Sequence, residues 1–204
     1  EPDFGTTILV GSVGMAVIFA GGAHIGYVAG TCIIGFSAFC VAIMYDAVRM
    51  RRILAFLMPN DPEYASAAYH LTQSKFAFIK GGLFGVGLGN SIQKQLYLPE
   101  AHTDFILAII GEELGFLATC IILALFAGIL ICGMIISFRC PDKFGKLLAF
   151  GITMLLTVQA AINIGVVTGC LPTKGLPLPF ISYGGTSLLV SIACVGILLN
   201  IGRS

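Results

Sequence analysis

The chain has 204 residues, 57% of them hydrophobic and only 10% charged, with a formal net charge of +1. Soluble domains carry roughly 25% charged residues, so an ordinary soluble domain is excluded and a membrane protein is indicated. Near-neutral charge with scattered basic residues also excludes a nucleic-acid surface.

Glu1-Pro2-Asp3 opens the chain with no Met, basic n-region or cleavage site, so it reads as a piece of a longer protein. Thr6 to Ala23 is apolar and rich in small residues, long enough to cross a bilayer core of about 30 Å. A tight turn at Gly21-Gly22-Ala23-His24 leads to a second span, Ile25 to Tyr45. Asp46 to Thr103 contains no apolar run long enough to span, and Pro59-Asn60-Asp61-Pro62 is strong turn chemistry. Within it, Tyr69 to Ile79 has the pattern of a short interfacial helix with Leu71, Phe76 and Ile79 inward. Phe105 to Phe138, about Lys146 to Val167, and Thr186 to Ile201 are three more spans. Cys170 to Gly185, with three prolines, is a second irregular stretch.

Five spans form an all-α, polytopic helical bundle as a single membrane domain, 1–204. Parity puts residues 46–103 and 170–185 on one face. The Gly21 turn, the Arg139–Lys146 loop and the C-terminus lie on the other. That short loop carries Arg139, Lys143 and Lys146, so the excess of basic residues on cytoplasmic loops places the C-terminus in the cytoplasm and the two irregular stretches outside.

Chemistry concentrates in Gly85–Asp104. Asp104 stands where a helix begins, with Pro99 or Thr103 available to start it. An acidic residue there stabilises the helix dipole; a carboxylate at a membrane-edge cavity is also a candidate general base, with Lys94, Glu100 and His102 upstream. Glu113 falls half a turn away from Asp104 on a continuous helix and Glu112 about 80° off, so no second carboxylate pairs with Asp104 in the manner of a glycosidase. Glu112 and Glu113, two turns into a span, read as partners of a salt bridge to another helix. Gly85-Val86-Gly87-Leu88-Gly89 lacks the third glycine and the preceding strand of a dinucleotide loop. It reads as a flexible turn whose N–H groups, with Lys94, are also suited to an anionic headgroup. Lys174 either snorkels or binds a pyrophosphate. Gln159 and Asn163, four apart, read as interhelical hydrogen-bonding pairs. The seven cysteines are odd in number and form no C-x-x-C pair, so they read as packing residues, and no metal site is expected.

EPDFGT at Glu1, RRILAF at Arg51, YHLTQSKFAF at Tyr69, GVGLGNSIQK at Gly85, LPEAHTDFILAIIGEELG at Leu98 and LPTKGLPLPFISYGGTS at Leu171 resemble the SEDS family (shape, elongation, division and sporulation), in that family's order and over essentially the whole chain. The division branch matches better than the elongation branch, which typically carries Arg where this chain has Ala101. The resemblance implies about ten spans in a whole protein, of which this chain is roughly the second half. It implies a peptidoglycan glycosyltransferase that polymerises lipid II outside the cytoplasmic membrane at the division septum, with a class B penicillin-binding protein (the transpeptidase) and other division proteins as partners. By the same resemblance Asp104 is the catalytic base; Lys94, Glu100, His102, Lys174, Ser182, Gly184 and Gly185, in the same two irregular stretches, are this reading's candidate substrate-binding residues. Lys94, Lys174 or a divalent cation is suited to steadying the pyrophosphate leaving group. A lipid II flippase and a non-catalytic scaffold recruiting the transpeptidase are the alternatives.

Overall fold

The computed structural model describes residues 4–58, 61–91, 103–173 and 175–203. These form seven α-helices: α1 (Phe4–Ala20), α2 (Ile25–Met44), α3 (Ala47–Leu57), α4 (Ala65–Gly81), α5 (Ile106–Arg139), α6 (Lys143–Val167) and α7 (Gly185–Arg203), with a 3-10 turn at Pro62–Tyr64. Four of them, α2, α5, α6 and α7, are long and apolar enough to cross a membrane. α1, with 17 residues, is about 25 Å long, at the lower limit for a fifth span. The chain is a multi-pass helical membrane protein.

α5 and α6 form the centre. They run antiparallel, with a close approach at Gly133, where an added methyl would lie 2.1 Å from Thr153 Oγ1. Near the far end the Ser137 hydroxyl donates to Lys146 O (2.9 Å). α1 packs antiparallel on α6, with Gly151 against Val17 and Gly21 against Leu147. α7 brings Ile201 to Gly145 and Gly202 to Ile136. The Gly21 turn, the loop before α6 and the C-terminal end of α7 therefore share one face, as parity requires. α6 starts at Lys143, earlier than the apolar pattern suggests, because Asp142 caps it by accepting from Gly145 N (2.8 Å). α2 has no buried residue; an all-apolar helix of this kind is stable only against lipid or other helices.

The region between α2 and α5 holds two packed helices. Asp46 caps α3 by accepting from Val48 N and Arg49 N. α4 buries Ala68, Leu71, Ser74 and Ala77, whereas Phe76 and Ile79 are 53% and 75% exposed. Leu71 is thus inward as expected, but Phe76 and Ile79 are not. The inward stripe is made of small residues, which allow backbones to approach closely; a methyl on Gly81 would stand 2.0 Å from Gly111 O. Ser74 Oγ donates to Val167 O (2.6 Å), tying α4 to the end of α6.

Candidate functional site

α5 is not one continuous helix. At Gly115 the backbone takes φ 80° and ψ −174°, a conformation that is essentially glycine-only. The hydrogen bonds lost at the break are replaced from the glycine-rich turn. Glu112 O and Glu113 O accept from Val86 N and Gly87 N (3.0 Å each), while Phe116 N and Leu117 N donate to Gly82 O and Leu83 O (2.9 and 3.4 Å). In hydrocarbon every such group needs a partner inside the protein, so this exchange is what permits the break. The turn requires its glycines: Gly85, Gly87 and Gly89 have φ of 78°, 99° and 81°, and a methyl on Gly85 would lie 2.1 Å from Glu113 O. With Val86 and Gly87 amides bonded to α5, and Gly85 N to Gly81 O, those N–H groups cannot cradle an anion. The reading of this turn as a headgroup cradle is corrected for them.

The acid pair flanks the break. Glu112 is fully buried, accepts from the Ser91 hydroxyl and faces Lys80 Nζ of α4 at 3.6 Å. Its salt bridge to another helix is therefore made within this chain. Glu113 is also buried, and its Oε1 has no hydrogen-bond partner among the described residues.

The break redirects Asp104. Asn163 stands ten residues beyond Thr153 on α6, level with about Leu123 of α5. A straight α5 would carry Asp104 about 28 Å past that level. Instead Asn163 Nδ2 donates to Asp104 O at 2.8 Å, so the segment before Gly115 turns back onto the bundle. Asn163 lies four residues before the end of α6, which recesses Asp104 by about 6 Å. Phe105 is the N-cap of α5 and makes no side-chain cap bond. Thr103 and Asp104 precede the helix in a turn, so neither the Thr103 cap nor a place for Asp104 in the first helical turn is realised.

The second irregular stretch meets Asp104 there. A methyl on Gly175 would stand 2.7 Å from Asp104 Oδ2. Gln159 Nε2 donates to Pro177 O (2.8 Å) and Asn163 Nδ2 to Leu176 O (2.6 Å). These amides hold loop carbonyls, not a neighbouring helix, which corrects the expected interhelical pairing. Since Gln159 lies two turns below the end of α6, the loop dips about 12 Å into the bundle, with Leu176, Leu178 and Pro179 buried. Ser182 accepts from Leu178 N (2.7 Å) and donates to Thr103 O (2.5 Å). The turn that presents it contains Phe180 at φ 66°, a strained value for an aromatic residue. Gly184 O accepts from Leu188 N, and Gly185 opens α7.

Asp104, Gly175 and Ser182 are thus brought together. Lys94, Glu100, His102 and Lys174 lie outside the described residues. No group of three or more His, Cys, Asp or Glu is placed to hold a metal ion among the described residues. Sequence reasoning missed the break at Gly115 and the role of Asn163. The available signal for the first was a glycine two residues after an acid pair inside an apolar run, as at helix C-termini.

The family model described as cell cycle protein, FtsW/RodA/SpoVE, matches residues 1–204. A probable peptidoglycan glycosyltransferase FtsW of Trichlorobacter lovleyi is 45% identical over 202 residues, covering 98% of this chain and 52% of the relative. Stage V sporulation protein E of Bacillus subtilis is 44% identical over 205 residues, covering 100% and 55%. The chain spans about half the length of the curated relatives it matches. Among solved structures, a chain of a peptidoglycan synthase complex, described for its coordination of polymerization and crosslinking, superposes with TM-score 0.71 at 23% identity, over 100% of this chain and 56% of that one. At that identity the likeness is one of fold.

Proposed function

The chain belongs to the FtsW/RodA/SpoVE family of cell cycle proteins, and on that premise we propose that it forms the Asp104-bearing half of a peptidoglycan glycosyltransferase that polymerises lipid II. The observation that carries the reading is the place of Asp104. Its carboxylate lies against Gly175, recessed below the end of α6, where both irregular stretches converge. Glycine at 175 leaves the carboxylate approachable, since any side chain there would collide with it.

Asp104 takes the proton of the acceptor sugar hydroxyl. The freed oxygen attacks the donor's anomeric carbon, the bond from that carbon to the pyrophosphate breaks, and undecaprenyl pyrophosphate leaves with the electron pair. A single base suffices because pyrophosphate needs no protonation to depart, unlike the alcohol released by a two-carboxylate glycosidase. Lys94, Glu100, His102, Lys174, Gly184 and Gly185 are proposed to bind the substrates, the lysines countering the pyrophosphate charge; Ser182, expected among them, has its hydroxyl engaged by Leu178 N and Thr103 O instead. No step is assigned to a divalent cation. Residues 46–103 and 170–185 face outward, the C-terminus lies in the cytoplasm, and the transpeptidase and division partners act with it at the septum.

The test uses the full-length protein with its transpeptidase partner and lipid II. Asp104→Asn is expected to lower glycan formation at least ~100-fold while lipid II still binds. An unchanged rate would refute the reading. Lipid II crossing vesicles without polymer would turn it toward transport.

A further inference from the structure

We propose that Asn163 is a positioning residue, whose buried amide sets the direction of the Asp104 side chain; this rests on the reading of Asp104 as the base. Asn163 is 1% exposed and projects from α6, which is unbroken. Its Nδ2 carries two hydrogens and has two acceptors, Asp104 O at 2.8 Å and Leu176 O at 2.6 Å. The preceding carbonyl, Thr103 O, accepts from Ser182 Oγ. The peptide planes on both sides of the Asp104 α-carbon are therefore held, one from α6 and one from the loop before α7. With both planes fixed, φ and ψ of Asp104 are fixed, and so is the Cα–Cβ direction. The bond to Leu176 O links that setting to the strand of loop that carries Gly175 beside the carboxylate. Gln159, one turn earlier on the same face, reaches only Pro177 O. It holds the loop without touching Asp104, so the two amides separate loop anchoring from base placement.

A misplacement of about 1 Å is enough to cost ~100-fold in rate. In the full-length protein with its partner and lipid II, Asn163→Leu, uncharged and near in volume, is expected to lower kcat roughly 30- to 100-fold with KM within about threefold. Gln159→Leu is expected to lower kcat less than about fivefold, because base placement survives. A kcat for Asn163→Leu within threefold of wild type, or equal losses in both variants, would overturn the proposal, each threshold being an order-of-magnitude estimate. If Asn163→Leu fails to accumulate as folded protein, Ser182→Ala releases the other plane. It is then expected to lower kcat at least ~10-fold at unchanged KM, and an unchanged kcat overturns the proposal. Activity in Asp104→Asn defeats the base reading itself. An inactive Asp104→Asn beside a fully active Asn163→Leu defeats only the positioning role.

Discussion

The two irregular segments reach the bundle by opposite means. The glycine-rich turn, 82–87, is joined to the broken α5 by four backbone hydrogen bonds, and no side chain is needed for the join. The proline-rich loop, 171–184, leaves the intact α6 through a capping bond from Leu171 N to Gly165 O and is held along it by the side-chain amides of Gln159 and Asn163. A backbone join is indifferent to side-chain chemistry but intolerant of side-chain bulk, since both strands must approach within hydrogen-bond distance. A side-chain join depends instead on particular donors, even though Gly175 of the same loop leaves no room for a side chain beside Asp104. The first is therefore vulnerable at glycines and the second at amides.

The sharpest way to break the first join is Gly115→Ala. The added methyl would fall 2.4 Å from Gly85 N and 2.5 Å from Leu83 O, both backbone atoms, at φ 80°. Backbone strain of ~1–3 kcal/mol adds to that clash, and loss of most folded protein is expected by fluorescence-detected size exclusion. Gly128→Ala on the same helix meets nothing within 4 Å and is expected to stabilise by up to ~1 kcal/mol. Equal effects from the two would show that the break carries no special constraint.

Next in size is Lys80→Met. It removes a cation from the buried Glu112 carboxylate beside the break. Losing one partner of a fully buried pair costs roughly 3–5 kcal/mol; Lys80 is partly exposed, and solvent screening lowers the expectation to ~1–3 kcal/mol. Lys80→Met with Glu112→Gln is expected to recover part of that loss in a thermal unfolding series. A double variant worse than Lys80→Met would contradict the pairing.

The smallest effect belongs to the side-chain join. Gln159→Leu leaves Pro177 O without its donor, expected to cost about 1 kcal/mol and a Tm drop of roughly 2–4 °C. A drop as large as that of Gly115→Ala would erase the distinction between the joins.

Much of this was legible in the sequence. Hydropathy located the apolar helices α1, α2, α5, α6 and α7, because a bilayer demands apolar length, but it ran α5 straight through Gly115. Parity and the short basic loop grouped the Gly21 turn with the Arg139–Lys146 loop, as Gly21 against Leu147 bears out. The meeting of the two irregular stretches followed from the same parity. Phe76 and Ile79 misled because inward-facing hydrophobicity is a rule for proteins in water; beside lipid, the small residues Ser74, Ala77 and Gly81 form the interface. Gly115 was illegible for a different reason. A glycine within an apolar run looks the same whether it is helical, like Gly128, or turned to positive φ, and only the distant partner at 82–87 decides which. Asn163 was recognised as a hydrogen-bonding residue, but its acceptors are main-chain carbonyls, which carry no mark in the sequence.

The four-bond exchange at Gly115 also bears on how the chain is made. Residues 82–87 leave the ribosome before residues 112–117, and each set alone would bring unpaired amides and carbonyls into the bilayer at several kcal/mol apiece. Neither can settle there until the other arrives. On that argument the turn and the first part of α5 are expected to enter the bilayer together.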